Sequence, residues 1–181
     1  LKDFQKEWPI ERLRNMTLEE YSNLDKETGL TYWLEAKTEN AGSIWGGSSY
    51  KFGIYRRRNI EYSGASSVSG GGTTDGVYAW YSKYGSTKEE AFLRVKELIV
   101  AAAEAGIAED LDKIDSLEIG FTIKWKIAYL FNPEKVIPIF KYEVLYRAAE
   151  ANGLKDAKRL GTGKLQHHLM QYKPEEQRTL D

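Results

Sequence analysis

Apolar and polar positions repeat with two different periods along this chain, and the two periods predict its helices and strands. Between residues 86 and 106 the apolar side chains recur every three or four positions, which predicts a helix capped by Ser86 or Thr87. Near the N-terminus, Thr17 and Glu20 have the spacing of a capping box, in which each side chain bonds the other residue's backbone amide. Both patterns predict well-defined helix starts.

A period of two predicts strands in the middle of the chain. The segments with this pattern are 43–58, 77–81, 121–131 and, at a sheet edge because of Pro138, 136–140. The pattern is clearest in 121–131, where bulky side chains occupy every second position and Lys124 and Lys126 project together from the opposite face. Residues 31–37 are compatible with either a strand or a helical turn.

The order of the predicted helices and strands along the chain indicates the fold class. Residues 59–76 are rich in Gly, Ser and Thr and predict a mobile loop, whereas the chain from Tyr142 onward predicts two or three short helices interrupted near Gly153 and Gly161. Strands in the middle, an inserted helix and helices at both ends favour an α+β fold with a small, strongly curved or barrel-like sheet. We expect a single domain over residues 1–181.

Composition narrows the function classes. The 181 residues are 41% hydrophobic, enough for one buried core, and no apolar run approaches the roughly 20 residues that span a bilayer. No signal peptide is evident, and the absence of cysteine excludes disulfides and thiol chemistry, which favours a cytoplasmic protein. With a net charge of −1, any nucleic acid would have to be bound by a local basic face. The five Trp and twelve Tyr point to stacking instead.

Three aromatic patches contain the tryptophans of the predicted sheet, Trp45, Trp80 and Trp125. Trp125 belongs to the apolar row of its predicted strand and is expected in the core. The other two are candidates for a pocket that stacks on a flat, partly polar ligand such as a nucleobase. The predicted base-binding residues are Trp45, Trp80, Ser43, Gly46, Gly47 and Ser48. The two glycines would let a ligand approach the backbone closely, although a turn that buries Trp45 is the alternative.

Basic residues near these patches are candidates for phosphate contacts. They are Lys51, Arg56, Arg57, Arg58, Lys124 and Lys126. Three consecutive arginines at a strand end beside a Gly/Ser loop can clamp phosphates. Exposed arginines in such a position are equally ordinary as solubilising residues, and the sequence leaves both interpretations open.

No arrangement of residues predicts catalysis, a metal site or a cofactor. The segment Gly161–Lys164 lacks the spacing of a phosphate-binding loop and is interpreted as a helix break. His167 and His168 are adjacent, so on a helix they point about 100° apart and do not share one metal. The acidic stretch 109–118 misses the calcium-loop pattern and is expected to be a solvated face.

Several longer motifs together resemble an N-terminal domain of McrB-like subunits from modification-dependent restriction systems. The motifs are Met16–Tyr21, Tyr32–Glu35, Gly42–Tyr55, Trp80–Gly85, Glu90–Phe92 and Lys124–Leu130. The resemblance covers about Trp8 to Leu154 and implies a PUA-like fold, a compact β-barrel with flanking helices. Such domains precede an AAA+ GTPase motor that assembles as a hexamer and works with a McrC-like nuclease.

The resemblance implies a target reader that holds a flipped, modified DNA base in an aromatic pocket. GTPase and nuclease motifs are absent from the sequence, so we expect a non-enzymatic module. Three alternatives remain open at this point: an RNA-binding module, a protein-interaction or assembly domain and, as the least supported, an enzyme acting on a small nucleotide.

Overall fold

The computed structural model describes residues 1–24, 27–58 and 71–172. The helices in these ranges are α1 (Lys2–Glu7), α2 (Ile10–Asn15), α3 (Leu18–Tyr21), α4 (Leu30–Tyr32), α5 (Lys88–Ile107), α6 (Leu111–Ser116), α7 (Phe121–Phe131), α8 (Tyr142–Ala151) and α9 (Thr162–Met170). A π-helical turn over Trp33–Lys37 extends α4, and short 3-10 turns cover Glu39–Ala41, Ser49–Phe52, Ser82–Tyr84 and Ala157–Arg159. Residues 31–37 are therefore helical.

The described residues contain one small antiparallel sheet. Its strands are β1 (Ile54–Arg56), β2 (Gly72–Thr74) and β3 (Tyr78–Tyr81), in the order β1-β3-β2. Trp80 in the central strand lies opposite Ile54 on one side and Thr73 on the other. A three-stranded open sheet is not a closed barrel, so the predicted PUA-like small curved β-barrel is wrong. Of the predicted loop 59–76, residues 59–70 lie outside the described ranges and β2 falls in the remainder.

The strand predicted over 77–81 is confirmed by β3, but most of the other residues predicted as strands are not in strands. Within 43–58 only Ile54–Arg56 is extended in a ladder, and 136–140 contains no regular element. The largest correction concerns 121–131, which is the helix α7. All eight side chains from Ile123 to Leu130 are buried, so this helix has no polar face to display a 3.6-residue period. Because every side chain of this stretch is buried, including two lysines, alternation along it does not distinguish a strand from a buried helix.

α7 lies at the centre of the molecule and packs against the long helix α5. The two helices approach closely where Gly106 meets Ala128: a Cβ on Gly106 would lie 2.9 Å from the Ala128 Cα. Glycine at this position therefore permits the contact, although it does not end the helix, because α5 continues to Ile107. The face of the sheet that carries Ile54 and Trp80 is buried in the same core.

Both predicted helix starts are confirmed. In α3 the Thr17 amide donates to the Glu20 carboxylate at 2.8 Å, and the Glu20 amide donates to the Thr17 hydroxyl at 3.2 Å. Thr87 and Glu90 form the equivalent box at the start of α5. A smaller apolar cluster joins α8 to α9, with Leu145 and Leu165 fully buried.

Candidate ligand-binding surface around Trp45

The loop of residues 42–48 presents Trp45 to solvent. Of the large hydrophobic side chains in the described ranges Trp45 is the most exposed, at 71%. Its neighbours Ser43, Gly46, Gly47 and Ser48 are exposed as well, and a Cβ placed on either glycine would meet open space. The glycines have φ values of 89° and 74°, in the left-handed region that glycine adopts without strain. The structure brings these five predicted residues together on one loop.

The Lys51 ammonium fixes the backbone of this loop by hydrogen bonds. Its Nζ donates to the carbonyl oxygens of Ile44, at 2.7 Å, and Gly46, at 2.8 Å, so the residues before and after Trp45 are bonded to one ammonium. A third bond, at 2.5 Å, goes to the Glu35 carboxylate. Lys51 was predicted to contact phosphate; in the structure its ammonium is engaged in fixing the loop.

Lys126 fixes the segment that leads into the loop. The side chain extends from α7, is 0% exposed, and donates to three carbonyls. The acceptors are Thr38 at 2.7 Å, Ala41 at 3.1 Å and Gly42 at 2.5 Å. Burial lowers the pKa of Lys126 from its ordinary value of 10.5 to about 8, opposed by the nearby carboxylate of Glu39.

Gly42 is required where the segment turns into the loop. Its φ is 96°, and a Cβ there would lie 2.6 Å from the ring of Phe140, which also lies under the Lys126 ammonium. Two lysines and one glycine thus determine the path of the chain from Thr38 to Gly46. The result is a fixed backbone with a free indole ring.

The prediction that Lys124 and Lys126 project together from the surface is wrong. Lys124 is buried on α7, where its Nζ donates to the carbonyls of Asp115, at 2.5 Å, and Leu117, at 3.1 Å. Burial lowers the pKa of Lys124 as well. Because strand parity does not apply to a helix, the exposed face inferred from it does not exist. Each ammonium instead donates to backbone carbonyls of a neighbouring segment, at the end of α6 for Lys124 and around the turn Glu39–Ala41 for Lys126.

Trp80 does not share a solvent-exposed pocket with Trp45. It lies in the central strand β3, is 3% exposed, and its Nε1 donates to the Gly85 carbonyl at 3.1 Å. Without rearrangement of the core, neither face of its ring is open for a ligand. Trp125 is fully buried, as predicted, although in α7 and not in a strand.

A tyrosine cluster covers the other face of the sheet and was not predicted. The ring of Tyr50 lies 5.2 Å from that of Tyr55 and 4.7 Å from that of Tyr81. Its hydroxyl lies directly over Gly72, where a Cβ would be only 2.2 Å away. Burial, aided by the neighbouring Tyr55, raises the pKa of Tyr50 to about 12, so the Tyr50 hydroxyl keeps its proton at physiological pH. The available sequence signal was the presence of these three tyrosines within the predicted strands 43–58 and 77–81.

The three consecutive arginines lie at the end of the edge strand β1. The Arg56 amide donates to the Ser22 hydroxyl at 3.1 Å, and its guanidinium is 3.5 Å from the Glu19 carboxylate. Arg57 reaches the Gly76 carbonyl at 3.5 Å, and Arg58 is exposed. Of the six predicted phosphate-binding residues, these three lie near the surface.

A cleft of about 340 Å³ lies between the arginines and Ser49, the residue that follows the Trp45 loop. Its walls include Tyr32, Glu35, Ser49, Tyr55, Arg56 and Arg58. Glu35 is the residue that accepts from Lys51, and Ser49 follows the loop directly, so the cleft begins where the Trp45 loop ends. Aromatic rings, a carboxylate and two guanidinium groups therefore surround one concave surface.

The remaining polar candidates have structural partners. Gly161 precedes α9, which agrees with the predicted helix break, and the Thr162 amide donates to the Asp115 carboxylate at 2.9 Å. Asp110 caps α6 by accepting from the Lys113 amide at 2.9 Å. Across residues 1–24, 27–58 and 71–172, no three His, Asp or Glu side chains are grouped to hold a metal ion.

Comparison of the chain with protein-family models, with curated proteins and with solved structures found no match. None of the helices in the described part of the chain has the length and apolar character needed to cross a membrane. The geometry defines a mainly helical domain with a small antiparallel sheet, and its distinguishing surface is the fixed loop that exposes Trp45 next to the cleft.

Proposed function

We propose that this chain is a non-enzymatic nucleic-acid-binding domain that reads a modified DNA base by stacking it on Trp45. The observation that carries the proposal is the combination of a 71% exposed indole with a loop backbone held by two largely buried ammonium groups. An exposed tryptophan on a mobile loop indicates little by itself, whereas here the backbone that carries the ring is fixed by contacts that leave the ring free.

The energetics favour a base as the ligand. Stacking on an aromatic side chain contributes about 1–3 kcal/mol per base, and flipping a base out of a duplex costs a few kcal/mol. A loop that is already ordered loses little entropy on binding, so most of the stacking energy remains available. Ser43, Ser48 and the amides of the paired glycines supply hydrogen bonds at the rim of the ring.

Phosphate contacts contribute modestly in this proposal. With Lys51, Lys124 and Lys126 bonded to carbonyls, the backbone of the nucleic acid is left to Arg56, Arg57 and Arg58. Three phosphate contacts on a single strand correspond to a slope of only about −2.1 in a plot of log K against log salt. Such weak salt dependence distinguishes this mode from binding by a polybasic surface.

The resemblance to McrB-like N-terminal domains supplies the proposed setting. There the reader would be joined to a hexameric AAA+ GTPase motor and would direct a McrC-like nuclease to foreign DNA. The chain itself performs no chemistry in this role. The proposal rests on the shared motifs and on the Trp45 surface, and it does not require a barrel.

Substitution of Trp45 provides the test. In fluorescence anisotropy with oligonucleotides that carry methylated, hydroxymethylated or unmodified bases, Trp45→Ala weakens binding of the preferred oligonucleotide at least about tenfold, equivalent to ~1.4 kcal/mol. Tyr172→Ala, which removes another exposed aromatic ring, is the matched control and leaves the affinity unchanged. Wild-type affinity in the Trp45 variant contradicts the proposal. Matched RNA strands show whether RNA is the preferred polymer.

A protein-docking role is the second candidate, and the burial of the lysines favours it. Only part of the expected basic face reaches the surface, while an exposed tryptophan in a fixed loop is a typical anchor of a protein interface. Absence of binding to every oligonucleotide at low salt, together with a folded protein, supports this role over nucleic-acid binding.

A further inference from the structure

A second concave surface, the tyrosine cavity, has a volume of about 470 Å³ and lies next to the tyrosine cluster. Its walls include Tyr50, Gly71, Tyr81, Lys83 and Tyr84. In the part of the chain that the structure describes, it shares no wall residue with the cleft of about 340 Å³ beside the arginines. Small-molecule sites have volumes of roughly 300–1,000 Å³, so the tyrosine cavity is large enough for a small ligand.

Tyrosine rings supply the aromatic wall of this cavity. The Tyr81 ring is half-buried, and its centroid lies 4.7 Å from that of Tyr50 and 6.4 Å from that of Tyr84. The planes of the Tyr81 and Tyr84 rings are 63° apart, so a flat ligand that stacks on Tyr81 meets Tyr84 at an angle. Aromatic pairs favour both arrangements. The wall therefore suits a planar aromatic ring.

The Lys83 side chain is exposed, and its ammonium lies over two of these rings. The Nζ is 4.8 Å from the centroid of Tyr84 and 5.8 Å from that of Tyr81. Within the described residues Lys83 has no carboxylate partner. An exposed cation over an aromatic face is held only weakly, whereas an oxyanion binds it more strongly because it carries the opposite charge. Lys83 can therefore turn from the rings to an anionic group of a ligand.

The charge of the cavity favours an anion over a cation. Of the described residues that line it, two are lysines and none is Asp or Glu. The ammonium of the other lysine, Lys51, is bonded to Glu35 and to two carbonyls of the Trp45 loop. A cationic ligand would be repelled by Lys83, and an anionic one attracted. The cavity thus combines an aromatic wall with one available ammonium.

We propose that the tyrosine cavity binds a nucleotide, with the base stacked on Tyr81 and the phosphate paired with Lys83. On binding, the ammonium moves from the tyrosine rings to the phosphate, which leaves the aromatic surface to the base. A free nucleotide and one nucleotide of a strand share this chemistry. The inference goes beyond the proposed function, because this cavity does not involve Trp45 and either site can fail without the other.

The test compares ligands that differ only in the phosphate, by NMR titration of ¹⁵N-labelled protein. The probes are deoxyadenosine 5′-monophosphate, deoxyadenosine and inorganic phosphate, and the signals followed are the amides of residues 81–84. The nucleotide is expected to bind about tenfold more tightly than the nucleoside, as for one hydrogen bond between charged groups. Phosphate alone is expected to bind more weakly than the nucleotide, because it cannot stack.

Two variants assign the parts of the ligand to residues. Lys83→Met removes the charge of an exposed side chain and is expected to reduce the ratio of nucleotide to nucleoside affinity below about threefold. Lys6→Met makes the same change of net charge on α1 and is the matched control, with an unchanged ratio. Tyr81→Leu keeps an apolar side chain in the sheet but removes the stacking surface, so it weakens both ligands about tenfold.

The source of the nucleotide is distinguished on the Trp45→Ala variant, in which the Trp45 surface does not contribute. A tetranucleotide of deoxyadenosine without terminal phosphates binds more tightly than the mononucleotide if the cavity takes part of a strand. It binds more weakly if the cavity takes a free nucleotide. If the amides of residues 81–84 show no saturable shift with any of these probes, the proposal is overturned. Equal affinity for nucleotide and nucleoside, or a ratio preserved in Lys83→Met, overturns the role of Lys83.

Discussion

Trp45 and Trp80 lie in two regions that are held in place by different interactions. β3 is bonded through its backbone to a strand on each side, and this ladder presses Trp80 into the core against β1. The loop of residues 42–48 belongs to no ladder, and its order comes from the Lys51 and Lys126 ammonium groups. In one region the tryptophan is part of what holds the structure together; in the other it is not.

This difference explains how a large aromatic ring can remain in solvent without loss of local order. A loop ordered by its own hydrophobic contacts would have to bury its tryptophan, as most folded proteins do. A loop ordered by carbonyl-to-ammonium bonds leaves the ring free for a ligand. The proposed function thereby assigns a structural role to Trp80 and a binding role to Trp45, and substitutions can test that separation.

Trp80→Ala is expected to have the largest effect on stability. Removal of a fully packed tryptophan leaves a cavity and lowers the free energy of unfolding by about 3–5 kcal/mol. Trp45→Ala is the matched control and should change it by less than about 0.5 kcal/mol, because the ring has few contacts to lose. Urea denaturation of the two variants measures both values. Equal losses would contradict the distinction between the two regions.

Lys126→Met is expected to come next. Methionine fits the length of the side chain but leaves the carbonyls of Thr38, Ala41 and Gly42 without their common donor, at a cost of about 3 kcal/mol after partial relaxation. Denaturation of this variant and of Lys141→Met, an exposed control, gives the comparison. A loss below about 1 kcal/mol would show that the loop does not depend on this lysine.

The lowered pKa of Lys126 predicts a pH-dependent effect that is smaller over any single pH unit. Between about pH 8 and 10.5 the unfolded chain keeps a proton on this amine that the folded chain has released. The unfolded state then binds more protons, so stability rises with pH in this window, by at most about 1.4 kcal/mol per pH unit. The gain should be seen in wild type relative to Lys126→Met, which cancels the titration of other groups. A difference between the two that stays flat from pH 8 to 10 would contradict the assigned pKa.

Short-range patterns in the sequence are sufficient to predict some of the helix starts and the exposure of the residues around Trp45. The capping boxes at Thr17 and Thr87 involve residues three positions apart, and both are formed. The two glycines beside Trp45 likewise predict a backbone that a ligand can approach, and both are exposed, although the segment predicted as a strand is a loop. In each case the atoms that decide the structure are close together in the chain.

Long-range contacts account for what the sequence did not reveal. Lys126 and the carbonyl of Thr38 are 88 residues apart, so nothing near Lys126 indicates that its charge is satisfied inside the protein. Without that knowledge, a lysine every second residue in an apolar segment is typical of the exposed side of a strand. For this reason the sequence predicts residues 121–131 as a strand of a barrel and places two lysines at the surface, whereas the segment is the helix α7 and both lysines are buried.

The indole N–H resonances provide the most direct measurement of the central claim. The five tryptophans give five signals in a spectrum of ¹⁵N-labelled protein, and Trp45→Ala and Trp80→Ala identify the two of interest. On titration with the oligonucleotide that binds most tightly, the account predicts a shift of the Trp45 signal and an unchanged Trp80 signal, whose N–H remains bonded to Gly85. A titration that reaches saturation while the Trp45 signal stays in place would contradict it.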